Sequence, residues 1–179
     1  MLKLAIDFGT AVTKIYKIGS GIVLSEPTCV TVQKDTGEIR AFGTDAKRLL
    51  GKTAEVTDVV FPVYEGEIVD ERLASALLEY FLRKVVRRTF SVEALFCVPC
   101  ACSLASREKY FRVARAAGLS RVTFAETPYL AVLGQDLPLS ESNPVFAIDV
   151  GAGKTSCAAF SLDGIIAGLT MNVGGNNMD

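Results

Sequence analysis

An aspartate followed two positions later by a glycine occurs twice in the chain, each time within the same longer pattern. Residues 5–13 and residues 147–155 both fit A-I-D-x-G-x-x-x-T. The copies lie 142 positions apart, because Asp149 of the second corresponds to Asp7 of the first. A single copy is typical of an ordinary strand-to-turn transition, whereas two matching copies favour a duplicated binding element.

The chemistry that such a duplicated pattern could support is the binding of phosphate and Mg²⁺. A glycine just after the aspartate lets backbone N–H groups approach an anion closely, and the hydroxyl of Thr10 can add a donor. Mg²⁺ binds one or two carboxylates and completes its shell with water and phosphate oxygens. We therefore predict that Asp7 and Asp149 face each other and hold Mg²⁺ through water.

The composition argues against several other kinds of site. The 179-residue chain contains no histidine, which removes the most frequent metal ligand and general base. Its net charge of −1 gives no indication of binding to nucleic acid, and we expect no nucleic-acid partner. No apolar run reaches the length of a membrane span, and Asp7 interrupts the apolar N-terminal stretch. We therefore expect a cytoplasmic protein.

The five cysteines leave two interpretations open. An odd number without a secretion signal argues against a disulfide framework. Cys97 and Cys100 form a C-x-x-C between a predicted strand and a predicted helix, which is also the arrangement of redox thiol proteins. We favour an ordinary strand, turn and helix at this place.

Each Asp-x-Gly pattern opens a predicted β-meander. Strand-like runs follow the first copy at 13–18 and 22–24, and follow the second at 155–160 and 165–169. The last two runs are joined by Asp163-Gly164, which is a strong hairpin signal. Each aspartate is thus expected at the end of a buried strand.

Strands and helices alternate between the two meanders, which predicts an α/β sheet with crossover connections. Predicted strands cover 29–32, 39–42, 94–98 and 122–125. Predicted helices cover 45–50 with Gly51 as a cap, 70 to about 88 with Asp70 as N-cap, 103–117 with Ser103 as N-cap, and 128–133. The stretch from about residue 31 to about residue 66 has little helical character and is interpreted as a small inserted lobe.

Further segments carry a resemblance to a known family. Residues 6–11 resemble the first phosphate motif of the actin, heat-shock ATPase and sugar-kinase superfamily. Segments that resemble the MreB family in particular are 21–27, 42–47, 50–53, 64–70, 80–84, 97–99, 116–118, 147–151 and 173–175. The resemblance covers the whole chain.

The resemblance implies an α/β, actin-like ATPase (ribonuclease H-like) fold with one mixed-sheet lobe. Residues 1–30 plus 68–144 would form the first lobe, 31–67 a small inserted subdomain, and 145–179 the start of an incomplete second lobe. It further implies ATP or ADP held with Mg²⁺ between the lobes. The expected role is that of a cell-shape filament component, self-associating into filaments or dimers at the inner face of the cell membrane.

The resemblance also assigns binding residues. Those of the first phosphate loop are Asp7, Gly9, Thr10, Ala11 and Val12. Those of the second are Asp149, Gly151, Ala152, Gly153 and Lys154. Lys14 matches a phosphate-contacting lysine of actin.

Two departures from the family pattern bear on hydrolysis. In the family, a glutamate just before the proline of the linking helix positions the attacking water, but here Thr127 holds that place and Glu126 lies one residue earlier. A threonine hydroxyl cannot act as a base at neutral pH as a carboxylate can. Lys154 replaces the catalytic threonine of the second loop, and could pair with phosphate as a point charge. Thr127 and Glu126 are therefore the catalytic candidates, and slow or absent ATP hydrolysis is predicted.

Alternatives remain at this point. A non-hydrolysing scaffold or regulator could retain the fold, and a heat-shock ATPase or sugar-kinase relative is less favoured because the inserted lobe resembles MreB. Phe90 beside Arg87 and Arg88 could contact an anionic membrane surface, or could pack inward.

The family continues for about as long again beyond the position of Asp179. We therefore expect the adenosine contacts to be missing from this chain, as a fragment or a natural truncation. An apolar face of the second meander is expected to be exposed and to invite pairing with another chain.

Overall fold

The structure is a computed structural model that describes residues 2–52, 55–86, 91–135, 143–162 and 164–178. Its strands are β1 (Leu2–Phe8), β2 (Val12–Lys17), β3 (Gly21–Pro27), β4 (Val30–Gln33), β5 (Ile39–Phe42), β6 (Thr57–Val60), β7 (Val63–Tyr64), β8 (Glu67–Ile68), β9 (Val92–Val98), β10 (Arg121–Glu126), β11 (Val145–Val150), β12 (Thr155–Ser161) and β13 (Gly164–Met171). Its helices are α1 (Gly43–Arg48), α2 (Glu71–Val85), α3 (Leu104–Ala116) and α4 (Thr127–Leu133), followed by a 3₁₀ turn at Gly175–Asn177.

The main sheet of the described chain has the strand order β10-β9-β1-β2-β3. Strands β1, β2 and β3 pair antiparallel, whereas β1, β9 and β10 run parallel. Helices α2 and α3 lie along the chain before β9 and before β10, as crossover connections require. The mixed α/β sheet predicted from the sequence is confirmed.

The core forms between this sheet and the helices α2 and α3. Alternate residues of β1 are buried, as are alternate residues of β9, so that one face of the sheet is apolar. The α2 residues that recur every three to four positions meet this face, and they are Leu73, Leu77, Leu78, Phe81 and Leu82. This packing fixes the position of β1, and therefore of Asp7 near its carboxyl end.

The parallel register brings the carboxyl ends of three strands to one edge of the sheet. Asp7 of β1 lies opposite Cys97 of β9, and Cys97 lies opposite Ala125 of β10. The β9–α3 connection and the start of α4 at Thr127 consequently lie on the same side as Asp7.

The second meander repeats the pairing of the first. β11, β12 and β13 form an antiparallel sheet in that order. Asp149 lies opposite Ser156, as Asp7 lies opposite Lys14, so the sequence repeat is also a repeat of register. Helix α4 packs against β11 and β12, where Val132, Ala158 and Phe160 are buried.

The stretch predicted as an inserted lobe contains the predicted strands β4 and β5, together with β6, β7 and β8, which the sequence did not reveal. β4 pairs with β5 and also with the distant β6, and β7 and β8 form a two-residue hairpin. β7 and β8 have two residues each, which is too short to show a period of two in the sequence.

The predicted N-caps are confirmed, whereas some predicted helix ends are wrong. The carboxylate of Asp70 accepts from the N–H of Leu73 at 2.8 Å, and Ser103 accepts from the N–H of Ser106 at 3.1 Å. Helix α1 covers Gly43–Arg48 rather than 45–50, because Glu26 of β3 accepts from the N–H of Thr44 and stabilises an earlier start. Helix α2 ends at Val85 rather than near residue 88.

Two predicted features lie outside the described residues. These are the membrane contact around Phe90 and the Asp163 part of the β12–β13 turn. None of the described helices is both long enough and apolar enough to cross a membrane.

Candidate phosphate and metal site

A cleft of about 280 Å³ collects nearly all of the predicted site residues. Its lining contains every predicted binding residue of the first loop and Lys14, and every predicted binding residue of the second loop. Thr127 also lines the cleft, whereas Glu126 does not. The two copies of the sequence repeat therefore face a shared space, as the sequence predicted.

The first loop connects β1 to β2 and is shaped by its glycine. A Cβ added at Gly9 would lie 3.0 Å from the carbonyl oxygen of Val12, so a larger residue would require that carbonyl to shift by a few tenths of an ångström. The carbonyl of Ala11 accepts from the N–H of Thr28 at 3.0 Å, which holds the loop against the start of the β3–β4 connection. A loop held in this way can keep its other N–H groups directed at an anion.

The second loop connects β11 to β12 and is held by the segment after β13. The N–H of Gly151 donates to the carbonyl of Lys154 at 2.8 Å, which closes the turn. The carbonyls of Gly151 and Ala152 accept from Gly175 and Asn176 at 2.9 and 2.8 Å. A Cβ at Gly174 would lie 2.5 Å from the carbonyl oxygen of Ala152, so only glycine allows this close approach.

The carboxylates of Asp7 and Asp149 lie close enough between the two loops to influence each other. Burial raises the pKa of Asp7 above its ordinary value, Lys14 opposes this rise, and the charge of Asp149 adds to it. Burial also raises the pKa of the neighbouring Cys97 to about 12, and both aspartates contribute. The raised pKa means that the charged form of Asp7 is disfavoured in the ligand-free chain. A bound cation would stabilise that charged form.

The carboxylates fit Mg²⁺ better than a metal held by protein ligands alone. Within the described residues, no group of three or more His, Cys, Asp or Glu is arranged to hold a metal ion. Two carboxylates beside hydroxyl and backbone donors match the ligands of Mg²⁺ bound together with phosphate. Asp7 and Asp149 are the residues that could hold such an ion.

The two hydrolysis candidates occupy different surroundings. Thr127 begins α4 and lines the cleft. Glu126 is the last residue of β10, and its carboxylate pairs with the guanidinium of Arg107 on α3 at 3.1 Å. The structure therefore brings Thr127, and not Glu126, to the predicted phosphates.

The C-x-x-C segment lacks the electrostatics of a redox site. Burial raises the pKa of Cys97 to about 12 and that of Cys100 to about 11, so both thiols are protonated at neutral pH. Reactive thiols of such motifs have a lowered pKa. The segment forms the strand, turn and helix that the sequence analysis favoured, from β9 to α3.

Several cleft residues were missed by the sequence analysis, namely Phe8, Gly66, Cys97, Pro99, Tyr110, Val150 and Ser156. The repeat does contain a signal for Ser156, because it occupies in the second copy the place of Lys14 in the first.

The β7–β8 hairpin, which contributes Gly66, carries no signal in the sequence. It nevertheless touches both loops: the N–H of Gly66 donates to the hydroxyl of Thr10 at 2.9 Å, and the ammonium of Lys154 contacts Glu67 at 2.9 Å.

Comparison with known proteins assigns the family. The family model described as MreB/Mbl protein matches residues 1–179. The chain belongs to the MreB/Mbl family. It is 34% identical over 183 residues to the cell shape-determining protein MreB of Escherichia coli (strain K12), covering 98% of this chain and 53% of the relative. The chain thus spans about half the length of the MreB relatives it matches.

Solved structures confirm the actin-like ATPase fold. MreB5 of Spiroplasma citri bound to ADP superposes with a TM-score of 0.90 at 27% identity, covering 98% of this chain and 53% of that one. The same MreB5 has been solved bound to AMPPNP, with a TM-score of 0.88. The MamK double helical filament matches with a TM-score of 0.80 at 20% identity, which shows a shared fold alone.

The raised pKa of Asp7 predicts that the folding stability of the ligand-free chain decreases as the pH rises. Below the ordinary pKa of aspartate the group is protonated in both states, so Asp7→Asn should then leave the melting temperature nearly unchanged. As the pH rises from that value through the raised folded pKa, the wild-type chain should lose stability that the Asn variant keeps. Thermal melts from about pH 3.5 to 7.5 should show a growing advantage of Asp7→Asn.

Asp45→Asn, on the exposed surface of α1, is the control and should show no growing stabilisation. A melting temperature of Asp7→Asn below that of wild type at neutral pH would contradict the proposed electrostatics.

Proposed function

We propose that this chain binds ATP or ADP with Mg²⁺ between its two phosphate loops and acts in an MreB-type cytoskeletal filament that helps to determine cell shape. The observation that carries the proposal is the shared cleft, in which Asp7 and Asp149 come from two copies of one meander. Membership of the MreB/Mbl family and the binding of ADP and AMPPNP by MreB5 of Spiroplasma citri support it.

Each part of the cleft has a role in this proposal. The backbone of the two loops, with Thr10, would surround the phosphates, and Lys14 and Lys154 would balance their charge. Asp7 and Asp149 would orient water molecules around Mg²⁺, and the ion would neutralise part of the phosphate charge. The nucleotide would lie between a first lobe (1–30 plus 68–144, with 31–67 inserted) and the start of a second lobe (145–179).

Slow hydrolysis is the second part of the proposal. Thr127 lines the cleft where the family has a glutamate, and Glu126 is engaged by Arg107 outside the cleft lining. The linking helix of the family pattern corresponds to α4. This helix therefore places no carboxylate near a water molecule at the phosphates. The same observation favours the alternative of a non-hydrolysing scaffold, which differs only in having no turnover at all.

The remaining part of the proposal concerns assembly and location. The outer face of the second meander exposes Phe146, Ile148, Val150 and Leu169, each more than half exposed. An apolar face of this kind on neighbouring strands is suited to pairing with a second copy of the chain. We place the protein in the cytoplasm at the inner membrane face, with the basic and aromatic residues around Phe90 as one candidate for the contact.

Nucleotide binding can be tested by titration with a fluorescent ATP analogue with and without Mg²⁺. Binding should require Mg²⁺, and Asp149→Asn should weaken it by about tenfold or more because a ligand of the hydrated ion is lost. The control Asp45→Asn removes the same charge from the surface of α1 and should change affinity by less than about twofold. Equal binding by Asp149→Asn, or no binding by the wild-type chain, would refute the proposal.

Hydrolysis can be tested by following phosphate release. The wild-type chain should be slow, Thr127→Ala should be equally slow, and Thr127→Glu should be faster by about a hundredfold because it restores a carboxylate at the cleft. Thr127→Gln has the same size without the charge and should stay slow. Rapid release by the wild-type chain that Thr127→Ala abolishes would show the prediction to be wrong.

Self-association can be tested by sedimentation with Mg²⁺ and ATP. Ile148→Lys should lower the sedimenting fraction because it places a charge on the apolar face. Ser20→Lys adds the same charge in the exposed β2–β3 turn and should sediment like the wild-type chain. Unchanged sedimentation of Ile148→Lys would exclude this face as the contact.

A further inference from the structure

Lys154 is enclosed and already has an anionic partner. Its side chain lines the cleft and is only 14% exposed, and its ammonium nitrogen lies 2.9 Å from Oε1 of Glu67. Burial by itself would raise the pKa of Glu67, but hydrogen bonds from Ser106 and Lys154 bring the pKa below its ordinary value. Glu67 is thus a carboxylate that remains ionised in contact with Lys154, just outside the lining of the cleft.

Glu67 is held in place independently of Lys154. Its other carboxylate oxygen, Oε2, accepts a hydrogen bond from the hydroxyl of Ser106 on α3. The hairpin that carries it is fixed by Tyr110, whose hydroxyl donates to the carbonyl of Gly66 at 3.1 Å. If Lys154 turned away, the carboxylate would therefore stay near the cleft.

The hairpin and the second loop are in tight contact. A Cβ at Gly153 would lie 2.8 Å from Cα of Glu65, and a Cβ at Gly66 would lie 2.9 Å from Cδ of Lys154. The Lys154 side chain therefore lies directly against the hairpin, so that a movement of its ammonium group changes its contacts with the hairpin. The two phosphate loops by themselves do not provide this contact between Lys154 and the hairpin.

We propose that Glu67 is a built-in competitor of phosphate for Lys154. In the ligand-free chain the Glu67 carboxylate is paired with the Lys154 ammonium group. When a polyphosphate binds, it replaces the carboxylate as the partner of that ammonium group. The β7–β8 hairpin thereby loses one of its contacts with the second loop when nucleotide binds. This inference rests on the proposed function, since it requires phosphates in the cleft.

The competition follows from charge. A lysine ammonium interacts more strongly with the several charges of a polyphosphate than with one carboxylate, and a carboxylate left nearby repels the phosphate. Removing the charge of Glu67 should therefore free Lys154 and remove a repulsion together. A purely structural Glu67 would give the opposite result, because its loss would loosen the site.

The test is a double-mutant cycle with Mg²⁺–ATP and Mg²⁺–tripolyphosphate as probes. Glu67→Gln keeps the size of the side chain and one acceptor oxygen but removes the charge, and should tighten binding of both probes by about threefold to tenfold. Lys154→Met should weaken binding by a similar factor, and adding Glu67→Gln to Lys154→Met should give a clearly smaller gain than Glu67→Gln gives in the wild-type chain, because only the repulsion is then removed. The Glu67→Gln variant should also melt at a lower temperature without ligand, because its ion pair is lost.

The matched control is Glu65→Gln, which removes the same charge from the same turn but not from the Lys154 pair. Its effect should be clearly smaller than that of Glu67→Gln. Binding by Glu67→Gln that equals or falls below wild type would overturn the inference, as would an equal gain from Glu65→Gln.

The two proposals can fail separately. If the wild-type chain binds in a manner that depends on Asp149 but Glu67→Gln gives no gain, only the competition is wrong. If the wild-type chain binds neither probe, the proposed function fails and the competition fails with it.

Discussion

Two like charges held near each other, one near the end of the partly buried β1 and one near the end of the half-exposed β11, are the constraint on which the site depends. Asp7 lies near the end of β1 and Asp149 near the end of β11. The charge of each contributes to the raised pKa of Cys97, which lines the shared cleft. Such an arrangement costs free energy in the absence of a cation, and proteins tolerate that cost at functional sites. The surrounding fold serves to keep the aspartates in place in spite of their repulsion.

The fold does so by supporting each loop from outside the cleft. Backbone carbonyls of the first loop accept from the β3–β4 connection, and those of the second accept from the segment after β13. The β7–β8 hairpin then contacts both loops through Gly66 and Glu67. A part of the chain distant in sequence is therefore a third wall of the site, and it can respond to what the cleft contains.

The sequence predicted the parts of this arrangement that depend on local or repeated patterns. The two meanders, the N-caps at Asp70 and Ser103, and the facing loops could be found because repetition, capping side chains and apolar periodicity leave marks within short windows. The Glu67–Lys154 pair, the contact of Gly66 with Thr10 and the early start of α1, which Glu26 stabilises, could not be found. Each depends on residues brought together from distant segments by the completed fold.

The account makes its most direct claim about where an ion and phosphates would lie. A crystal structure of the chain grown with Mn²⁺, as a substitute for Mg²⁺, and a non-hydrolysable ATP analogue would test it through the anomalous signal of the metal. The account predicts one metal peak between Asp7 and Asp149, linked to them through water, with the phosphates between the two glycine loops. Metal and phosphates bound elsewhere, with the cleft between Asp7 and Asp149 left without them, would contradict it.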